Sequence, residues 1–330
     1  MSILLDGADA RAAAAREWAL SCLGLARASF EPASADASFR RYFRVSTDDG
    51  ARSWVVMDAP PEREDCTPFV RVAELLDEAG LHVPRVLYQD RERGFLLLDD
   101  LGQRTYLQVI DEHNADALFD DALRALVRMQ RAARVDSLPP YDRALLAREL
   151  SLFPDWFVAQ HLGHTLDPAQ QAAWDGVCGL LIDSALSQPR VFVHRDFMPR
   201  NLMRSDPNPG VLDFQDAVEG PVTYDVVCLF KDAFLSWPQE RVDAWVARYR
   251  GLAADAGIPQ PADFVRAFDL MGLQRHLKVL GIFARIKHRD GKPQYLEDAP
   301  RFVHYVRDVA QRYAELAPLQ RLFDDLGLKA

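Results

Sequence analysis

Val193-His194-Arg195-Asp196-Phe197-Met198-Pro199-Arg200-Asn201-Leu202-Met203 reads H-R-D-x-x-x-x-N between apolar flanks, and Asp213, in Val211-Leu212-Asp213-Phe214, lies twelve residues beyond the asparagine. A carboxylate, an amide one short loop later, and a second carboxylate on a neighbouring strand suit transfer of a phosphoryl group to a hydroxyl. That chemistry is mostly positioning and charge neutralisation, so a few oxygen ligands around hard cations go far. Asp196 is the expected base for the acceptor hydroxyl. Asn201 and Asp213 are the expected ligands of Mg²⁺ bridging nucleotide phosphates. An ordinary turn between short strands, with Asp196 as a cap and Asn201 left-handed, has no need of the whole constellation.

Outward from this stretch the chain changes character. Strand-like segments at 27–33, 41–47 and 53–58, with the turn Asp48-Asp49-Gly50 between the last two, precede a helix at 67–79 that stops at Gly80. Strands at 83–88 and 94–98 follow, joined by the polar turn Asp90–Arg93, and Asp99-Asp100-Leu101-Gly102 reads as a hinge. Beyond it helices are expected at 103–111, 115–133, 144–162, 168–187, 223–235, 239–256, 262–289 and 299–316, interrupted only by 191–214. A β-β-β-α-β-β segment, a hinge and a helical region give an α+β, two-lobed kinase-like architecture. The expected divisions are an N-lobe at 1–98, a hinge at 99–102 and a C-lobe at 103–330. The nucleotide is expected between the lobes, with adenine facing backbone groups around Leu98, Asp99 and Leu101.

The chain resembles the aminoglycoside phosphotransferase and choline kinase-like branch of the protein-kinase fold. Asp213-Phe214 continues as Gln215-Asp216-Ala217, and Gly220-Pro221-Val222-Thr223-Tyr224-Asp225 follows without an activation loop. By resemblance Asp225 holds the catalytic-loop backbone; its position also suits a helix-start carboxylate facing the dipole. Longer strings bring the chain closer to the bacterial anomeric N-acetylmuramate/N-acetylglucosamine kinases of cell-wall recycling: Asp36-Ala37-Ser38-Phe39-Arg40-Arg41-Tyr42-Phe43-Arg44, Val56-Met57-Asp58-Ala59-Pro60-Pro61, residues 194–203, Leu212–Ala217 and Gln274–Arg285. The resemblance implies ATP-dependent phosphorylation of the sugar C1 hydroxyl. Rival readings are a kinase of the same fold acting on an aminoglycoside, choline or homoserine, and a nucleotide-binding regulator without turnover.

Three departures from the general kinase pattern bear on the phosphate site. The loop at Asp36–Arg41 has no glycine, Met57 stands at the usual lysine position, and the helix glutamate falls near Phe69. Arg40 and Arg41, with Ser38, are the expected replacements; a solvated strand end is the plainer reading of one arginine, since neighbours on a strand face opposite ways. Arg200 either neutralises the transferring phosphoryl group or is a loop charge. Asp216 either meets substrate hydroxyls or caps the next turn. Arg275, Lys278 and Arg285 fall on one face of helix 262–289, a basic cluster suited to a substrate carboxylate or an exposed face paired with nearby acids. Trp156, Phe157 and His161 suit either a sugar face or the core.

The 330 residues are 49% hydrophobic and 27% charged, enough for two lobes with a sizeable core. A net charge of -10 argues against broad nucleic-acid or anionic-membrane binding, and makes a local cation cluster necessary for an anionic substrate. Cys22, Cys66, Cys178 and Cys228 are dispersed, as reduced thiols are. Met1–Ala15 lacks a signal-like pattern and no apolar run is of spanning length. A cytoplasmic enzyme with ATP, Mg²⁺ and an amino sugar, without nucleic acid, membrane or an obligatory protein partner, is expected.

Overall fold

The computed structural model describes residues 10–35, 39–132 and 138–329. Packing divides the chain into two compact units: residues up to Thr105 together with Leu202–Asp216, and Tyr106–Asn201 together with the chain from Ala217 onward. The second boundary falls inside the motif region, so Asp213 belongs to the first unit and Asp196 to the second. Sequence reasoning put residues 202–216 in the C-lobe.

The first unit is built on a five-stranded antiparallel sheet: β1 (Ser29–Ala35), β2 (Arg41–Ser46), β3 (Ser53–Asp58), β4 (Val86–Asp90) and β5 (Phe95–Asp99), in the order β1-β2-β3-β5-β4. The β2–β3 hairpin closes at the expected turn, where Gly50 N–H donates to Thr47 O at 2.8 Å and Gly50 has a φ of +66°. Pro32 sits in β1, an edge strand, where its missing N–H is tolerated. β5 is buried along Phe95, Leu96, Leu97 and Leu98, as its unbroken apolar run requires. Helix α1 (Ala10–Leu23) turns Ala12, Ala15 and Ala19 toward Phe43, Val45, Trp54, Val56, Phe95 and Leu97. Those small side chains let the helix approach closely. Helix α2 (Thr67–Glu78) buries Phe69, Val70, Val72, Ala73 and Leu76. Gly94 has no alternative: its φ is +71° and a Cβ there would lie 1.9 Å from Ala59 O.

The second unit is mostly helical. It contains α3 (Tyr106–Val109), α4 (Ala115–Ala132), α5 (Arg143–Leu152), α6 (Pro168–Leu186), α7 (Tyr224–Phe230), α8 (Gln239–Asp255), α9 (Phe264–Asp290), α10 (Ala299–Arg312) and α11 (Ala317–Asp325). α9 is its axis, buried along most of its length from Phe264 to Ala284 with polar Asp269, Gln274, Arg275, His276 and Lys278 among the buried residues, capped by Asp263 and closed by left-handed Gly291. Strands β6 (Arg190–Val193) and β9 (Val218–Pro221) pair antiparallel. In the first unit β7 (Leu202–Met203) pairs with β8 (Gly210–Val211).

Several expectations need correction. The helix expected over 144–162 is α-helical only to Leu152 and continues as a π-helix, Phe153–His161. Pro154 lacks an N–H and its ring crowds the carbonyl one turn back, which a wider turn relieves. The helix expected over 299–316 ends at Arg312, and α11 beyond it has no counterpart in the sequence reading, nor has β9. The helix expected over 103–111 is only Tyr106–Val109, and that over 223–235 stops at Phe230. No helix among the described residues is long and apolar enough to cross a membrane.

Candidate active site

In the second unit β6 delivers the chain into a loop held by backbone and side-chain hydrogen bonds. Asp225, one residue into α7, accepts the backbone N–H of His194 at 2.7 Å and of Arg195 at 3.0 Å. Burial pushes Asp225 up to about 7, against the pull of those two donors. Arg195 has a φ of +78°, a left-handed conformation that a side chain rarely adopts. Cys228 donates its S–H to Arg195 O at 3.1 Å. Asp196 is half-buried, and its N–H donates to His194 Nδ1 at 3.3 Å. Its carbonyl accepts Met198 N–H and, at 3.0 Å, Asn201 Nδ2. Asn201 ends the short 3₁₀ turn Pro199–Asn201 and is buried. Its amide nitrogen is thus turned back on the loop. Arg200 lies over the Phe234 ring at 5.4 Å.

Behind the loop is a group that sequence reasoning missed. Glu149 of α5 is 4% exposed and takes Arg195 and Lys278 on Oε1, the latter at 2.8 Å. Its Oε2 takes the Tyr141 hydroxyl and Gln274 Nε2, the latter at 3.1 Å. Burial would raise Glu149, but Lys278 and Arg195, helped by Tyr141, pull it down to about 2. A signal was present in the sequence: Glu149 occupies the core stripe of α5 beside Leu146 and Leu150.

The basic cluster expected on α9 is not a single open face. Lys278 is buried against Glu149 and donates to the Tyr224 hydroxyl at 3.1 Å. Arg275, 3% exposed, reaches Lys231 O at 3.3 Å and Met198 Sδ at 3.8 Å. Arg285 is half-buried two turns further on, where burial and Arg289 lower its pKa. Spacing put these residues on one side of the helix; burial of that side separates their partners. Phe157 is core, whereas Trp156 lines a groove of about 550 Å³ with Asp155, Gln160 and His164.

The first unit carries the remaining expected residues. Asp213 has a φ of +62°, is half-buried, and accepts Gln215 Nε2 at 2.9 Å. Phe214 is fully buried on Phe69 of α2, ring centroids 4.9 Å apart, so the residue near the usual glutamate position packs against the segment after β8 instead. Met57 is fully buried. Arg40 donates to Glu64 at 3.2 Å; burial lowers its pKa, but Tyr42, Glu64 and Asp216 outweigh this and leave it raised. Arg41 donates its Nε to Asp58 at 3.0 Å, and Arg11 meets the other oxygen of that buried carboxylate. Asp216 is exposed. Ser38 lies outside the described residues. Leu98 and Leu101 are buried, and Asp99 pairs with Arg85 at 2.7 Å. Sequence reasoning missed Asp100, held by both arms of Arg44 at 2.7 and 3.0 Å, which ties the chain after β5 to β2.

A five-stranded antiparallel sheet unit and a mostly helical unit bearing an H-R-D loop have the make-up of a kinase-like phosphotransferase. Residues 29–268 match the phosphotransferase enzyme family, and the chain belongs to it. It is 62% identical over 298 residues to the N-acetylmuramate/N-acetylglucosamine kinase of Pseudomonas aeruginosa, covering 89% of this chain and 88% of that one. It is 48% identical over 301 residues to the protein of the same name from Neisseria meningitidis, covering 89% of each. Among solved structures it is similar to a choline kinase from Streptococcus pneumoniae, with a TM-score of 0.63, 15% identity, and coverage of 89% of this chain and 98% of that one. An aminoglycoside phosphotransferase bound to ADP gives 0.59 and 15%, covering 90% and 98%. At such identities the likeness is one of fold, and that fold is the α+β, protein-kinase-like class expected from the sequence.

Proposed function

We propose that this phosphotransferase moves the γ-phosphoryl group of ATP onto the C1 hydroxyl of N-acetylmuramate and N-acetylglucosamine, in the cytoplasm, for reuse of peptidoglycan fragments. The observation that carries the reading is the 62% identity, over 89% of the chain, to a kinase named for those two sugars.

In this mechanism Asp196 accepts the proton of the acceptor hydroxyl. A hemiacetal hydroxyl is more acidic than an ordinary alcohol, so a carboxylate base suffices. Arg200 neutralises charge on the group in transit. Asn201 and Asp213 are the residues that would hold magnesium. Among the described residues no group of three or more His, Cys, Asp or Glu forms a metal cage. One amide and one carboxylate fit magnesium, which keeps water and phosphate oxygens in most of its coordination sphere. The metal supplies charge neutralisation at the phosphates. Arg40 and Arg41, with Ser38, steady the phosphates, and the chain at Leu98, Asp99 and Leu101 meets the adenine. Asp216 and Arg285 are assigned to the sugar. Arg275 acts beside the catalytic loop, and Lys278 is assigned to Glu149.

The test is to incubate the purified protein with ATP, Mg²⁺ and either sugar. ADP release should match loss of reducing sugar, and the product should be acid-labile, because a glycosyl phosphate leaves through an oxocarbenium ion. ADP with the reducing end retained refutes anomeric transfer. No ADP with either sugar moves the assignment to another acceptor.

A further inference from the structure

We propose that Glu149 is a positioning residue for phosphoryl transfer, the shared anion of a buried two-cation cluster that fixes the catalytic-loop backbone through Arg195. The inference rests on the reading of Asp196 as the base.

Arg195 is the residue that most needs holding, because its φ of +78° is unfavourable for a side-chain-bearing residue. Three of its restraints come from Asp225, Cys228 and Glu149. Asp225 takes its backbone N–H, Cys228 donates to its carbonyl, and Glu149 takes its guanidinium. The first two come from α7. Glu149 ties the loop to α5, and it does so with every acceptor site used. Arg195 and Lys278 share Oε1; Tyr141 and Gln274 share Oε2. Four donors saturate a carboxylate. No amide at this position can accept all four.

α5 is fixed against α9 one turn away from this cluster. A Cβ on Gly281 would lie 2.3 Å from the Leu152 carbonyl carbon and 2.4 Å from its oxygen, so the two backbones touch there. Leu152 and Gly281 each lie three residues beyond their partners in the ion pair, Glu149 and Lys278. The close approach thus sets how far Glu149 reaches toward the loop. The charges of the cluster are Arg195 of the loop and Lys278 of α9, with Tyr141 and Tyr224 as hydroxyls, and Asp196 acts on Lys278 as a second, weaker anion. One anion therefore serves two cations. Without it Arg195 and Lys278 lose their shared counter-charge, the guanidinium leaves its seat, and the left-handed turn before Asp196 loses a restraint.

The experiment compares wild type, Glu149→Gln, Lys278→Met and the double variant Glu149→Gln/Lys278→Met. Two readouts are used: kcat and the ATP KM with N-acetylglucosamine, and hydrogen exchange at the amides of residues 194–196. Glu149→Gln should lower kcat by about ten- to a hundredfold, with ATP KM within about twofold and faster exchange confined to the loop. The double variant, with one buried cation fewer, should recover part of the lost kcat and of the loop protection. If Glu149→Gln does not fold, the double variant compared with Lys278→Met alone should show about tenfold lower kcat and faster loop exchange. A Glu149→Gln variant with wild-type kcat and exchange overturns the proposal. So does a double variant no better than the single, or a loss of kcat with exchange raised evenly across the second unit. If wild type itself turns over neither sugar, the functional reading fails, and loop exchange still decides the role of Glu149.

Discussion

Each unit holds a buried carboxylate between two cations, and the two arrangements differ in what surrounds them. Asp58, in β3, sits between Arg11 and Arg41, whose side chains are 35% and 38% exposed. Glu149, in α5, sits between Arg195 and Lys278, at 20% and 11%. In the first case the cations keep a solvent-facing side, so a guanidinium can meet an incoming anion without being stripped from a dry interior. In the second the anion is saturated and its cations are enclosed, which suits a fixed support. If the two proposals hold, the same charge count serves adjustable phosphate contact in one unit and rigid loop placement in the other.

The largest effect expected belongs to the rigid side. Asp196→Asn keeps the shape but cannot take the acceptor proton, and kcat should fall by about 10²–10⁴ while ATP binding stays near wild type, measured by turnover beside nucleotide titration. Retention of kcat within about threefold would falsify the assignment of the base.

Next come the residues assigned to the metal. Asp213→Ala should cost about 10²–10³ in kcat at low Mg²⁺, and Asn201→Ala less, because a charged ligand holds the cation better than an amide. Raising Mg²⁺ should partly restore the Asn201 variant. Full activity of Asp213→Ala at low Mg²⁺ places the metal elsewhere.

The Glu149 cluster can be tested through stability and pH. Its carboxyl lies at about 2 in the fold against 4.5 for an ordinary glutamate, so its contribution is complete above pH 4.5 and is lost as pH falls through 2. The difference corresponds to about 3 kcal/mol. Denaturant melts of wild type and Glu149→Gln should therefore differ most near neutral pH, with the gap closing on acidification. A constant gap across that window contradicts the ionised cluster.

The smallest effects are expected on the adjustable side. Arg40→Ala or Arg41→Ala should raise the ATP KM or lower kcat about tenfold, a difference of about 1.4 kcal/mol. Because the Arg41 pair is partly exposed, its loss should change stability by only about 1 kcal/mol or less. Unchanged kinetics in both variants, with a large loss of stability, would make Asp58 a support like Glu149 and dissolve the contrast.

Much of this was readable from the chain. The β2–β3 hairpin follows from Gly50 between alternating strands, and β5 from its apolar run. The H-R-D loop is local chemistry at fixed spacing, and the hydrogen bonds from His194 and Arg195 to Asp225 are those the resemblance implied. What escaped depends on long-range packing. β9 exists because β6 pairs with it, and the π-helix reflects Pro154 together with Gly281 pressed on Leu152. Spacing located the α9 cations on one side but could not tell that the side is enclosed. The length of α9 and its apolar residues on every face were the clue that it runs through the interior. Glu149 was hidden for the same reason: a charge in an amphipathic helix is normally on the wet face, and only its phase with Leu146 and Leu150 marks it as buried.

The central claim, transfer to the anomeric hydroxyl, is tested most directly with two acceptor analogues. N-acetylglucosamine lacking the C6 hydroxyl should be phosphorylated, with phosphorus-to-H1 coupling in the NMR spectrum of its product. The analogue lacking the C1 hydroxyl should give no ADP above background. Phosphorylation of the 1-deoxy sugar together with failure of the 6-deoxy sugar would contradict the account.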